Sequence, residues 1–307
     1  MKKMKQLEDA LKLNSKIIDD FFRTNLPKET GLHSNLLKSI KYSLVSSGKK
    51  LRGYLVFETG KMISKENGFN IDDNKLKQLL VAASAVESIH TYSLIHDDLP
   101  SMDNSDFRRG KKANHIMFDE ATAILAGDAL QSWAFELISN PNNIKSAEVR
   151  SEMILNLARG IGMSGMAAGQ QADIDLQNLK IRTNDISWIQ EKKTGCLLKC
   201  CVIFGFLIGK GYDDQKKALI NYANNLGLAF QIADDLLDLR GSKEKIGKPV
   251  GKDLSNKTPN FVNLLGENEA RKKSEIMVDK AIESVKIFGN NAKNLVLLAK
   301  YSIERDM

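Results

Sequence analysis

The chain has 307 residues, of which 42% are hydrophobic and 27% charged, and its formal net charge is +7. That balance is typical of a folded globular protein and excludes a disordered or collagen-like chain. The lysines are spread along the sequence rather than massed in a tail, which argues against nucleic acid as a partner and leaves a solvated basic surface suited to a small anionic substrate.

Only five prolines occur and strand-like alternation is scarce, so the 3–4 apolar periodicity predicts an all-α chain. An amphipathic helix is predicted from about Leu7 to Phe22, and a second over Leu36–Ser46. The segment Gly48-Lys49-Lys50-Leu51-Arg52-Gly53 then sets three cations before a helix of about Tyr54–Met62. Such a helix start suits an anion, although taken alone the segment is better read as a solvated basic turn.

The long helix predicted over Lys75–Asp98 carries an apolar stripe through Leu76, Leu79, Ala83, Val86 and His90 that continues to Ser93 and Asp97. A carboxylate on an inward stripe is costly unless a cation compensates it. Pro100 interrupts the helix, and the charged loop Asp103–Ala113 precedes another helix over Ala121–Ser139, where Asp128 is expected either to cap or hydrogen-bond in the core or to act directly.

Residues Glu148–Asp175 keep a helical pattern despite Gly160, Gly162, Gly165 and Gly169, each costing about 1 kcal/mol relative to alanine in a helix. A close-packed helix pair and a ligand channel both explain them, and Gln170 and Asp173 add polar groups to that face. A further helix, Ile186–Gly209, carries Lys193-Thr194-Gly195, and Lys216–Leu239 presents Gln231, Asp234 and Asp238 on one face. The loop Arg240–Pro259 contains Lys245, Lys248, Lys252 and Lys257, and one or two closing helices run from Asn268.

Cys196, Cys200 and Cys201 lack the paired spacing of a zinc site and are expected to be buried, reduced thiols. The apolar run Cys200–Gly209 is too short to span a bilayer, and Met1–Ala10 has no apolar signal core, so a cytoplasmic location without membrane insertion is expected. No repeat or linker divides the sequence, which predicts a single domain over 1–307.

Two acidic clusters, Asp97–Asp103 and Asp234–Asp238, end long apolar helices without His or Cys partners. Clustered carboxylates select hard cations, and Mg²⁺ usually takes one or two of them and completes its shell with water and phosphate oxygens. Basic segments at 49–52, 108–109 and 245–257 then point to a polyphosphate held between metals and cations.

In that combination the sequence resembles the short-chain trans-prenyltransferases. The first aspartate-rich motif corresponds to Asp97-Asp98-Leu-Pro-Ser-Met-Asp103, followed by Arg108-Arg109-Gly110. The second corresponds to Gln231-Ile-Ala-Asp234-Asp-Leu-Leu-Asp238, the basic motif to Gly48–Gly53, and Lys-Thr-Gly to Lys193–Gly195.

The resemblance implies the type I isoprenoid synthase fold, a helical bundle around a central substrate cavity. Asp97, Asp103 and Asp234 would hold three Mg²⁺ ions (or Mn²⁺), supported by Asp98 and Asp238. Arg108, Lys193, Lys248 and Lys257 would bind the allylic diphosphate, whether dimethylallyl or geranyl diphosphate. Gly48, Lys49, Arg52, His90 and Arg109 would bind isopentenyl diphosphate. The Lys193 carbonyl, Thr194 hydroxyl and Gln231 side chain would stabilise an allylic cation, and the protein would be a homodimer.

There are three departures from the motifs: Gly53 stands for a proline, Lys50 stands for an arginine, and the final motif's tail reads Lys257-Thr-Pro-Asn-Phe261, which leaves either Lys252 or Lys257 to reach phosphate. Product length turns on Tyr92. An aromatic five positions before a lengthened first motif resembles the bacterial farnesyl diphosphate synthase pattern, whereas an ideal helical wheel puts Ser93 beneath Asp97. A fifteen-carbon product is expected, with a twenty-carbon product as the alternative. A terpene cyclase would lack the Lys49/Arg52 segment, and a non-catalytic subunit would be expected to have lost some of the aspartates.

Overall fold

A computed structural model describes residues 2–45, 48–176, 182–240 and 260–304. Lys248 and Lys257, with the rest of that basic loop, lie outside them.

Fourteen α-helices are present among the described residues. The first half of the chain gives α1 (Lys2–Asn25), α2 (Ser34–Leu44), α3 (Leu51–Glu66), α4 (Asp73–Asp97), α5 (Asn114–Met117), α6 (Glu120–Ser139) and α7 (Ala147–Ile161). The second half gives α8 (Met166–Asp175), α9 (Thr183–Gln190), α10 (Cys196–Gly209), α11 (Asp213–Arg240), α12 (Phe261–Leu265), α13 (Glu267–Ser284) and α14 (Lys293–Glu304). The only strands among the described residues are β1 (Phe107–Arg108) and β2 (Lys111–Lys112), an antiparallel pair that the helical periodicity did not foresee.

α4 is central. Asp72 caps it, its carboxylate accepting from the Lys75 amide at 2.7 Å. Almost every residue from Leu79 to Ile89 is buried, because α1, α2, α3, α6 and α10 all pack around it. α10 is buried on nearly all sides in the same way, as expected of a helix apolar all round. One apolar cluster joins these helices, running from Leu7 on α1 to Tyr301 on α14, and the three cysteines are buried free thiols.

Two predicted segments are divided. Glu148–Asp175 breaks between α7 and α8 at Gly162–Gly165. Ile186–Gly209 contains a π-helical turn, Glu191–Gly195, between α9 and α10. Such turns place an extra residue in the helical ladder and are frequent at functional sites. Here the turn holds Lys193 and Thr194.

Candidate active site

The first acidic cluster is built by the chain folding back over the end of α4. The Asp103 amide donates to the Asp97 carbonyl at 2.9 Å and the Ser105 amide to the Asp98 carbonyl at 3.1 Å. Asp97 and Asp103 are thereby brought together despite the lengthened motif. Burial pushes the Asp97 carboxyl up to about 6; Lys193 and Arg108 oppose that rise, and Asp103 and Asp98 add to it. Asp98 points elsewhere. It is buried, and its carboxylate accepts from Arg108 Nε at 3.0 and 3.1 Å and from the guanidinium Nη2. Arg108, assigned from sequence to the allylic diphosphate, holds that two-pronged pair in this structure.

The β1–β2 hairpin aims the next arginine. Arg109 and Gly110 form its two-residue turn with φ of 52° and 75°, the paired positive values that a type I′ turn needs. Arg109 then lies against Gly48, where a Cβ would stand 2.9 Å from its guanidinium, and Nη2 comes within 3.5 Å of His90 Nε2. Burial and the charges of Arg52, Arg109, Lys50 and Arg108 hold His90 well below the usual histidine range, so the ring is neutral. Arg52 Nε is buried and has no hydrogen-bond partner among the described residues. Arg52, Arg109 and an uncharged His90 thus lie near one another, a set of donors suited to an anion.

The neighbouring lysines divide. Lys49 donates to the Tyr301 hydroxyl, with its ammonium 4.9 Å from that ring's centroid. Lys50 turns inward at φ 45°, donating to the Leu44 carbonyl at 2.6 Å beside Asp19 at 3.5 Å, which makes it an anchor of the turn. The proline-to-glycine departure also has a reason, since the Gly53 amide donates to the buried Glu87 carboxylate at 2.8 Å. A proline has no such hydrogen to give.

On the opposite wall, Lys193 donates to Asp173 on α8 at 2.7 Å. Burial works against the ammonium charge, yet Asp173, Asp97 and Asp103 together hold Lys193 above the ordinary lysine value. α8 reaches the π turn because residue 169 is glycine: a Cβ there would stand 2.3 Å from the Lys193 backbone nitrogen. A Cβ at Gly160 would likewise stand 2.6 Å from Cys200 Sγ, so both glycines serve close helix packing. Gln170 is different, for both its amide atoms are buried without a partner among the described residues.

The second cluster lies on α11. The Thr194 hydroxyl donates to Gln231 Oε1 at 3.4 Å, joining the π turn to that helix. Asp234 and Asp238 are partly exposed, whereas Asp235 is buried. Among the described residues no group of three His, Cys, Asp or Glu side chains converges to cage a cation.

Five residues before Asp97 on α4, Tyr92 stacks edge-to-face on His96 with centroids 5.7 Å apart, and His96 Nε2 lies 3.1 Å from the Ile124 carbonyl on α6. The hydroxyl of Ser93 bonds back to the His90 carbonyl at 3.0 Å. Asp128 lies 4.0 Å from His96 Nε2 and is largely exposed.

Sequence reasoning missed Glu87 and Asp235 as polar partners, and named Asp173 without its lysine. A carboxylate set three or four residues from fully buried positions, as Asp235 is from Ile232, is the signal that could have found them.

The polyprenyl synthetase family model matches residues 33–294. A farnesyl diphosphate synthase of Haemophilus influenzae is 42% identical over 253 residues, 81% of this chain and 82% of its own. A geranylgeranyl diphosphate synthase of Cyanophora paradoxa is 35% identical over 94% of this chain and 93% of its own. Among solved structures, an FPP/GFPP synthase from Zymomonas mobilis superposes with a TM-score of 0.85 at 36% identity, covering 98% of this chain and 99% of that one. The helical isoprenoid synthase fold is therefore shared.

Proposed function

Because the chain belongs to the polyprenyl synthetase family, we propose that it is a prenyltransferase making farnesyl diphosphate from isopentenyl diphosphate and dimethylallyl or geranyl diphosphate. The observation that carries this reading is the placing of two charge-distinct subsites along α4. Asp97 and His90 share one helix face seven residues apart, or about 10 Å along the axis. Asp97 belongs with Asp103 and Lys193, and His90 with Arg52 and Arg109. Two diphosphates fit that division, one at carboxylates able to take metal and one at cations.

Asp97 and Asp103 suit Mg²⁺: the donors are all oxygen, and the buried Asp97 carboxyl lacks full compensation. With Asp234 they would hold it, and bound there it supplies charge neutralisation to the departing diphosphate. Lys193 adds a fixed positive charge on the same side. The allylic C1–O bond breaks with its electron pair leaving on diphosphate. The Thr194 hydroxyl and Gln231 amide oxygens present dipoles to the resulting cation without attacking it. Arg52, Arg109 and neutral His90 orient isopentenyl diphosphate, whose double bond supplies the electrons of the new C–C bond. Loss of a proton then restores the alkene, five carbons longer. Lys248 and Lys257 complete the allylic subsite in this reading.

Tyr92, wedged by His96, favours a pocket floor suited to fifteen carbons. A twenty-carbon product is the second reading, favoured by the geranylgeranyl diphosphate synthase likeness over nearly the whole chain. A homodimer would cover Ile116, Met117, Ile124 and Leu125, which stand exposed on α5 and α6. No helix among the described residues is long and apolar enough to cross a membrane. The test of the reaction is diphosphate release: purified protein with geranyl and isopentenyl diphosphates and Mg²⁺ should release one diphosphate per isopentenyl unit consumed, and chelation should stop it. No release would overturn the reading.

A further inference from the structure

The buried carboxylate of Asp235 stands between two partners that belong to different parts of the site. One oxygen accepts from Gln231 Nε2 at 3.2 Å, and the other accepts from the Phe261 amide at the start of α12 at 3.0 Å. Asp235 is only 5% exposed and lies at the apolar cluster of Ile232 and Phe261, whereas Asp234 and Asp238 are partly exposed.

This arrangement has a chemical consequence for Gln231. A glutamine amide has a donor end and an acceptor end and can rotate to present either. A carboxylate can only accept, so it takes the NH₂ end and leaves Oε1 turned toward Thr194, as observed. Without that constraint the amide can invert and put N–H bonds, with their positive ends, where a cation has to be stabilised. The Phe261 bond keeps the carboxylate itself from rotating, since it uses the second oxygen.

We propose that Asp235 is a positioning residue, which fixes the Gln231 amide so that its oxygen faces the reacting carbon. The inference rests on the prenyl-transfer reading above and deepens it: of the aspartates in the second acidic cluster, this one acts through a neighbouring amide and not by binding metal.

The test is a double-mutant cycle between Asp235→Asn and Gln231→Met, read as kcat, as KM for both diphosphates and as the Mg²⁺ concentration giving half-maximal rate. In Asp235→Asn the new side chain can keep an acceptor for Phe261, but only by turning its own NH₂ toward Gln231, which must then invert. The expected loss in kcat is about tenfold to a hundredfold, below that of a group touching the reacting atoms. Both KM values and the Mg²⁺ requirement should change little. In the Gln231→Met background the same substitution should change kcat by no more than about twofold, because the amide through which it acts is gone.

A loss of kcat equal in both backgrounds, or a raised Mg²⁺ requirement, would overturn the proposal in favour of a packing or metal-binding role. If Asp235→Asn does not fold, Asp235→Glu gives the same cycle, its longer arm displacing the Gln231 amide while keeping both acceptors. A wild-type protein that elongates nothing would remove the parent reading; an active wild type with an unaffected Asp235→Asn would remove only this inference.

Discussion

Lys193 on the π turn and Asp173 on α8 face each other at 2.7 Å, and the same ammonium is also drawn toward Asp97 and Asp103. The helix carrying Asp173 can come this close only because Gly169 meets the Lys193 backbone. Gly169→Ala would press a methyl group onto a backbone nitrogen that has nowhere to move. A loss of about 1–3 kcal/mol of stability is expected, with a fall in kcat as Lys193 and Thr194 shift. Thermal melting and steady-state kinetics check both, and wild-type values for the two would contradict the close approach.

Asp97→Asn should stabilise the ligand-free protein while abolishing turnover. The Asp97 carboxyl sits at about 6 against an ordinary 3.8, so the folded state takes the proton first as pH falls. The group therefore destabilises the fold above about pH 6, and that burden is relieved progressively down to about pH 4. After allowance for the partner lost to Lys193, the substitution should gain about 1–2 kcal/mol at pH 8. Chemical denaturation at pH 8 and pH 5 tests this. A variant less stable than wild type at pH 8 would mean that Asp97 is already fully compensated.

Burial first, and then the cationic charges of Arg52, Arg109, Lys50 and Arg108, hold His90 neutral, and an arriving diphosphate offsets those charges. Binding of isopentenyl diphosphate near pH 6 should therefore be accompanied by proton uptake. Calorimetry in two buffers of different ionisation enthalpy measures it, and His90→Phe should abolish the difference. Equal apparent enthalpies for wild type in both buffers would place the substrate elsewhere.

Tyr92→Ala should lengthen the product if the ring propped on His96, five residues before Asp97, floors the pocket as proposed. Chromatography of the dephosphorylated products decides it. An unchanged product spectrum would move the floor to another residue, with Ser93 less suited because its hydroxyl is spent on the His90 carbonyl.

The helices around the site were legible because periodicity reports burial, and Asp97 stood out as an acid on an apolar stripe. Other features depend on contacts that sequence spacing does not encode. Lys49 and Lys50 are the same residue type side by side, yet the left-handed backbone at Lys50 sends one outward to Tyr301 and the other into the protein. The supporting role expected of Asp98 gave no sign of its partner, since the hairpin brings the Arg108 guanidinium back to hydrogen-bond Asp98. The π turn at Lys193 packs against Gly169, more than twenty residues earlier, a contact that no local pattern announces.

The most direct test of the whole account is the identity of the product. Purified protein supplied with isopentenyl diphosphate, geranyl diphosphate and Mg²⁺ should yield farnesyl diphosphate as the main species by mass spectrometry, and Asp97→Ala should yield none while remaining folded. Recovery of unextended geranyl diphosphate from the wild-type reaction would contradict the account.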